Sequence, residues 1–121
     1  MIPEYWKDFV NTNQVSGADF EIDDASDLSG LGGELRIMTA EQCIDESTNY
    51  YPGILVVKNN YIPVATCLLG SGDYYYINGD DGNRGPLYRI YHDSVDGEEL
   101  QEHAIEKVLE NFESLLSSQR L

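Results

Sequence analysis

The sequence predicts an α+β fold in which helices flank one antiparallel β-sheet of about five to six strands. Short aromatic and β-branched runs alternate with glycine, proline and Asn-Asp turns between residues 49 and 93, which is typical of hairpins. Apolar residues recur at helical spacing near both ends of the chain. A chain of 121 residues is expected to bury roughly two thirds of its extended surface, enough for a single domain over 1–121.

The N-terminal segment predicts a helix from about Pro3 to Asn13. Proline is favoured in the first helical turn, because the N–H that it lacks would have no partner there. Apolar and aromatic residues then follow one helical stripe: Tyr5, Trp6, Phe9 and Val10. Gly17 is expected to separate this helix from the next element.

Two short strands and a middle helix are expected next. Apolar residues alternate with polar ones over 20–22 and again over 35–38, which indicates half-buried strands. Thr39 precedes Gln42 by three residues, the spacing of a capping box. A short helix is therefore predicted from about Ala40 to Glu46.

The sheet is expected to continue in four strands joined by short loops. The apolar runs 54–57 and 64–69 predict central strands, and the runs 73–77 and 87–91 predict a hairpin arm on each side of a turn. The turn itself, 80–83, has the Asp-Asp-Gly-Asn composition of tight loops.

A long helix is expected from about Glu98 to Ser117. Acidic residues at its start suit the positive end of a helix dipole. Its apolar stripe, which should lie across the sheet, consists of Ile105, Val108, Leu109, Phe112, Leu115 and Leu116.

The charge of the chain restricts its partners. Lys and Arg number 7 and Asp and Glu 22, a formal net charge of −15. Nucleic-acid binding is disfavoured, because affinity there depends on neutralising phosphates with basic side chains. A basic protein partner is favoured instead. The alternative is that the acidic surface only keeps the protein soluble.

Other features argue against a metal, a cofactor or a membrane. Cys43 and Cys67 lack metal-ligand spacing and are expected to be reduced core thiols. No signal peptide or membrane span is apparent, which predicts a soluble, cytoplasmic protein, either a monomer or a weak homodimer.

No segment has the pattern of a catalytic or phosphate-binding motif. The run 92–94, His-Asp-Ser, contains triad residue types, but triad members normally come from separated segments. Residues 80–83 lack the further ligands of a calcium loop, and the Gly-Ser-Gly run at 70–72 lacks the lysine and helix of a phosphate loop. We therefore predict no catalytic residue, no cofactor-binding residue and no metal ligand.

Tyrosines are concentrated in the sheet half of the chain, and they are suited to interfaces because a large apolar ring carries a hydrogen-bonding tip. Strand alternation places Tyr75 on the opposite face from Tyr74 and Tyr76. One strand would thus offer aromatic area on both faces.

Several segments, in order, resemble the SUKH superfamily. They are the Ile-Pro opening with its aromatic helix, Gly-Gly before the second strand, Tyr-Pro-Gly at 51–53, and Gly-Asp-Tyr-Tyr-Tyr-Ile at 72–77. Family members usually carry another helix before the Ile-Pro opening, whereas this chain starts almost at that point. The motif residues expected to be structural are Ile2, Pro3, Trp6, Gly53, Gly72 and Asp73.

The resemblance implies a function without catalysis. Bacterial SUKH proteins are mostly immunity proteins that neutralise a toxin, often a nuclease, whereas fungal relatives of the Smi and Knr type regulate cell-wall assembly. An acidic inhibitor could cover the basic cleft of a nuclease, so the first prediction is an immunity protein that binds a basic toxin domain. The alternatives are a scaffold or regulator of cell-wall glucan assembly, and a small enzyme that loses activity on His92→Ala. The predicted partner-binding residues are Asp19, Glu21, Asp23, Asp24, Asp27, Tyr74, Tyr76, Asp80 and Asp81.

Overall fold

A computed structural model describes residues 1–94 and 100–121 of the chain. Its helices are α1 (Glu4–Asn13), α2 (Ala40–Asn49) and the single turn α3 (Gly53–Val56), which continues as a 3-10 turn over Val57–Asn59. Its strands are β1 (Asp19–Glu21), β2 (Glu34–Ile37), β3 (Tyr61–Cys67), β4 (Tyr74–Asn78), β5 (Leu87–Ile90), β6 (Ile105–Leu109) and β7 (Gln119–Arg120). All strand pairs are antiparallel, and the curled sheet has the order β6-β5-β4-β3-β2-β1-β7.

The predictions of the N-terminal helix and of the start of the middle helix are confirmed. Pro3 immediately precedes α1, and Ile2 and Trp6 are buried in the core. At the start of α2, the Thr39 hydroxyl accepts from the Gln42 N–H at 3.2 Å and the Gln42 side-chain oxygen accepts from the Thr39 N–H at 2.8 Å. Two otherwise unpaired N–H groups are thereby satisfied. The helix then runs to Asn49, three residues beyond the predicted end.

The sheet separates two clusters of buried side chains. The larger cluster fills the inner face beneath α1 and includes Trp6, Phe9, Leu35, Tyr75 and Phe112. The smaller cluster lies on the outer face, where Leu55, Val56, Tyr76, Ile90 and Ala104 pack together. The prediction that Tyr75 and Tyr76 face opposite sides of the sheet is therefore confirmed.

The prediction of a long C-terminal helix is wrong over the residues that the structure describes; its first two residues, 98 and 99, lie outside them. The segment contains a 3-10 turn at Glu102–Ala104, then β6, then a 3-10 helix at Phe112–Ser117. Residues 105–109 supply backbone partners to β5, which would otherwise be the edge of the sheet. The Asn111 side chain accepts from the Glu113 N–H at 2.9 Å and so starts a new helical turn after the strand. With β6 and β7 included, the sheet has seven strands rather than five or six.

The predicted strand at 54–57 is also wrong. These residues form α3 and the start of the 3-10 turn that follows it. A four-residue apolar run does not distinguish a buried strand from a buried helical turn. Gly53 lies so close to the Glu46 carbonyl of α2 that a Cβ at this position would collide with it. The other predicted strands agree with β1 to β5 within a few residues.

Candidate functional site

Two acidic side chains face each other across the first strand pair. The register of β1 and β2 places Glu21 directly opposite Glu34. Glu21 is exposed and Glu34 is half-buried, and no cation of the described residues is within 4.0 Å of either carboxylate. Like charges directly opposite each other on a sheet are destabilising. This strand pair therefore concentrates negative charge at a cost in stability.

A polar groove adjoins this pair, and we call it the β1 groove. One wall carries Glu21, Asp23 and Asp24, and the other consists of residues 117–119, in a volume of about 400 Å³. Asp23 and Asp24 are both exposed. Three of the predicted partner-binding residues thus lie together in one groove.

Two other predicted partner-binding residues are engaged within the molecule. Asp19 receives two hydrogen bonds from Arg36, at 2.7 and 3.1 Å, and this guanidinium lowers the pKa of the Asp19 carboxyl. Asp27 accepts from the Ser29 N–H, the Ser29 hydroxyl and the Gly32 N–H at 2.6 to 2.9 Å. Burial acts to raise the pKa of Asp27, but these hydrogen bonds outweigh it and lower the pKa. Asp27 therefore shapes the loop between β1 and β2.

The two acidic residues of the β4–β5 turn lie beside aromatic side chains. Asp80 accepts from the Asn60 amide at 2.8 Å, and Asp81 accepts from the Tyr88 hydroxyl at 2.9 Å. The Tyr88 ring packs edge-on against the Tyr61 ring with centroids 5.3 Å apart. Burial and the bond with Asp81 raise the pKa of Tyr88, so the phenol stays protonated and donates.

A second groove runs between α1 and the 3-10 helix at Phe112–Ser117, and we call it the α1 groove. Its volume is about 370 Å³. The Tyr5 hydroxyl donates to the Asn78 carbonyl at 2.6 Å, which fixes this ring in the wall of the groove. The residues that line the groove include Tyr5, Asp8, Phe9, Asn83, Glu113 and Leu116.

The two predicted partner-binding tyrosines are placed differently from each other. Tyr76 is fully buried in the outer cluster beneath α3, and its hydroxyl has no hydrogen-bond partner among the described residues. Tyr74 is half-buried and its hydroxyl donates to Glu46 at 3.3 Å. Tyr76 therefore contributes to the core and presents no side-chain surface to a partner.

Sequence reasoning missed Arg89, a buried arginine on the inner face of β5. One guanidinium nitrogen donates to the Ser29 hydroxyl at 3.2 Å and to Glu106 at 3.0 Å, and the other donates to the Gly32 carbonyl at 3.0 Å and to the Tyr75 hydroxyl at 3.1 Å. Burial acts to lower the pKa of Arg89, but interactions with Tyr75, Tyr91 and Glu106 outweigh it and raise the pKa.

Arg89 ties the β1–β2 loop across the open side of the curled sheet. The same loop reaches β6, where the Leu28 N–H donates to the Val108 carbonyl at 2.8 Å. The available signal in the sequence is strand alternation: Leu87 and Arg89 share a face, so a predicted strand with a buried leucine carries a charged residue inward.

A cavity of about 170 Å³ lies beside Arg89 and includes Cys67 among its lining residues. The Cys67 sulfur accepts from the Leu69 N–H at 3.3 Å. Burial acts to raise the pKa of the Cys67 thiol, but hydrogen bonds with Ser71 and Leu69 outweigh it and lower the pKa. Cys43, by contrast, is buried in the core, and burial raises its pKa to about 12. Both cysteines were predicted to be core thiols, but only Cys43 is fully buried, and Cys67 is half-buried.

The motif residues at 72 and 73 join the start of β4 to the end of β5. Asp73 accepts from the His92 N–H at 2.9 Å and lies 2.5 Å from Nδ1 of the same imidazole. Asp93 lies 3.1 Å from Nε2. Gly72 has φ +77, and a Cβ there would lie 3.3 Å from the His92 ring. Carboxylates thus contact both nitrogens of the ring, and the arrangement fastens two strand ends together.

No helix within residues 1–94 and 100–121 is long and apolar enough to cross a membrane. Over the same ranges, no three His, Cys, Asp or Glu side chains are grouped closely enough to hold a metal ion. Comparisons with family models, curated proteins and solved structures give no match to this chain. The resemblance to the SUKH superfamily therefore stays a prediction.

Proposed function

We propose that this protein acts without catalysis, by binding the basic surface of another protein, and that it is an immunity protein for a toxin domain of the nuclease type. The observation that carries the proposal is the pairing of Glu21 with Glu34. The pair opposes folding, and no described cation relieves it. A cationic partner would relieve it on binding, so the destabilising charge is useful in a complex.

The wider charge distribution supports a cationic partner. Four of the seven Lys and Arg side chains already pair with carboxylates, namely Lys7, Arg36, Arg89 and Lys107. The net charge of −15 remains after all seven cations are counted, so most of the 22 carboxylates have no Lys or Arg to balance them. A partner with a basic cleft would be attracted over a range set by ionic strength, about 8 Å at physiological salt.

A nuclease cleft is the kind of basic surface that fits this proposal. Such a cleft holds a polyanion through Lys and Arg, so an acidic protein surface can occupy it and exclude the substrate. Charge complementarity of this kind raises the association rate above the neutral range of about 10⁵ to 10⁶ M⁻¹s⁻¹. The proposal includes a cytoplasmic location, which suits the unpaired Cys43 and Cys67.

Co-expression tests the proposal. The chain is produced together with each toxic protein encoded beside its gene, and growth rescue and co-purification are scored. Rescue by a stoichiometric complex is expected. For a purified pair, stopped-flow association should slow about tenfold or more between low and physiological salt. Association that does not respond to salt would contradict charge steering.

A matched pair of variants locates the interaction. Glu21→Gln removes one charge from the β1 groove, and Glu41→Gln removes one charge from an exposed position in the first turn of α2. We expect Glu21→Gln to slow association more than Glu41→Gln. Equal effects would indicate attraction by net charge alone.

If the protein is instead a regulator of cell-wall assembly, it should form a complex with a cell-wall enzyme. It should then rescue growth from none of the toxins.

A further inference from the structure

The α1 groove combines acidic walls with an aromatic and aliphatic lining. Asp8 projects from α1, and Glu113 belongs to the 3-10 helix on the other side. Both carboxylates are exposed, and over the described parts of the chain no Lys, Arg or His lies within 4.0 Å of either. Arg84 follows Asn83 in the chain, but it is not among the residues that line the groove. Two unneutralised charges therefore face one concave space.

The lining between these walls suits a long, partly apolar side chain. Tyr5 and Phe9 contribute aromatic rings and Leu116, which is 48% exposed, contributes an aliphatic surface. The Tyr5 ring stacks on Phe112 with centroids 5.8 Å apart, and its hydroxyl is bound to Asn78. Because the ring is held from two sides, a ligand would not have to order it.

The turn after β4 adds to the negative field at this place. After burial, the charges of Asp81 and Asp80 are the causes that raise the pKa of Tyr5 to about 12. These two carboxylates therefore act on the same ring that lines the groove. The combined field of Asp8, Glu113, Asp80 and Asp81 favours a cation in the groove.

We propose that the α1 groove binds an arginine side chain of the basic partner; this inference rests on the proposed function. A guanidinium is planar, stacks on aromatic rings and donates to two carboxylates at once, while its methylene stem packs on apolar surface. A lysine ammonium would meet the charges but lacks the planar group that stacks on an aromatic ring. The β1 groove has carboxylates but no aromatic lining, so it is the weaker site for an anchor of this kind.

Nuclear magnetic resonance tests the groove without a partner. The ¹⁵N-labelled protein is titrated with N-acetyl-arginine amide, with the lysine and citrulline analogues as charge-matched and shape-matched controls. We expect saturable shifts of the Asp8, Asn83 and Glu113 amides, larger for arginine than for lysine and absent for neutral citrulline. Shifts centred on Asp23 and Asp24, scattered shifts, or no saturable shift would overturn the inference.

Two double variants make the test specific. Asp8→Asn with Glu113→Gln should weaken arginine binding about fivefold or more, because two exposed charge pairs are removed. Asp23→Asn with Asp24→Asn removes the same charge from the β1 groove and should leave arginine binding unchanged. Equal weakening by both would overturn the inference. Unchanged spectra outside the substituted sites verify that each variant is folded.

Failure of this inference is distinguishable from failure of the proposed function. If the wild-type chain rescues growth from a toxin but does not bind arginine amide in the α1 groove, the anchor is wrong and the function stands. If arginine amide binds there but no toxin is neutralised, the groove chemistry stands and the partner assignment is wrong. Rescue that is lost with the double variant Asp8→Asn and Glu113→Gln, and weakened less by Asp23→Asn with Asp24→Asn, would support both.

Discussion

Replacing Arg89 by methionine would remove the side chain that holds the β1–β2 loop over the inner face of the sheet. The guanidinium makes four hydrogen bonds, to Ser29, Glu106, Gly32 and Tyr75, and the residue is only 6% exposed. Methionine retains much of the apolar volume, so the loss is mainly polar. The Gly32 carbonyl, in particular, loses its side-chain donor.

The expected loss in the free energy of unfolding depends on which hydrogen-bonding groups the substitution leaves without a partner. Removing one partner of a buried ion pair costs about 3 to 5 kcal/mol. Glu106 is 31% exposed and still accepts a hydrogen bond from the Tyr91 hydroxyl at 2.6 Å. The lower end of this energy range therefore applies to the loss of Arg89. We expect Arg89→Met to lower the free energy of unfolding by about 3 kcal/mol. For a chain of 121 residues, with an unfolding entropy of about 0.25 kcal/mol/K, Tm should fall by about 12 °C.

Urea unfolding followed by fluorescence measures this loss directly, because Trp6 is the single tryptophan and is buried in the core. Arg84→Met is the matched control, since Arg84 is exposed and, within the described residues, forms no ion pair. It should change stability by less than about 0.5 kcal/mol. A loss below about 1 kcal/mol for Arg89→Met, or equal losses for both variants, would refute the reasoning.

Three further predictions concern charge, thiol reactivity and pH. Glu34→Lys should raise the free energy of unfolding by about 0.5 to 1 kcal/mol in urea, because it places an opposite charge across from Glu21, and it should weaken toxin binding; a less stable variant would contradict the register argument. Cys67 should react with a disulfide reagent near neutral pH well before Cys43, since its pKa is lowered and that of Cys43 is raised to about 12; a single slow phase in the wild type, or a fast phase that survives Cys67→Ser, would contradict this. Asp27 has a lowered pKa in the folded state, so the stability that its carboxylate contributes is present above the unfolded pKa and lost as pH falls through the folded one; the difference in unfolding free energy between wild type and Asp27→Asn should shrink with acid, and a constant difference would argue against it.

The elements that could be predicted from sequence are those with local physical causes. Pro3 and the aromatic stripe specify α1, and the Thr39–Gln42 capping box specifies the start of α2. Alternation over β4 predicted the opposite faces of Tyr75 and Tyr76. In each case the signal comes from residues that lie within a few positions of each other in the sequence.

The C-terminal segment shows where such reasoning fails. The apolar residues of 105–116 fit a helical stripe, yet residues 105–109 form β6, whose backbone pairs with the distant strand β5. A register shift at Leu87 and Tyr88 lets the adjacent residues Val108 and Leu109 both be buried, which strict alternation would not predict. Similarly, residues 54–57 form α3 and the start of the 3-10 turn after it, and Gly53 packs against the backbone of α2, a contact that the apolar run does not reveal.

For the candidate binding surfaces, too, some properties follow from the sequence and others only from the tertiary structure. Composition alone established the excess of negative charge, since charge is a sum over residues, whereas the absence of nucleic-acid binding stays a prediction. Which carboxylates are available depended on pairing across distant segments: Arg36 binds Asp19, the β1–β2 loop engages Asp27, and Glu21 is left facing Glu34. Local propensity and net charge are additive properties of the chain, whereas strand register, burial and the grooves arise from contacts between residues far apart in sequence, and only the tertiary structure decides them.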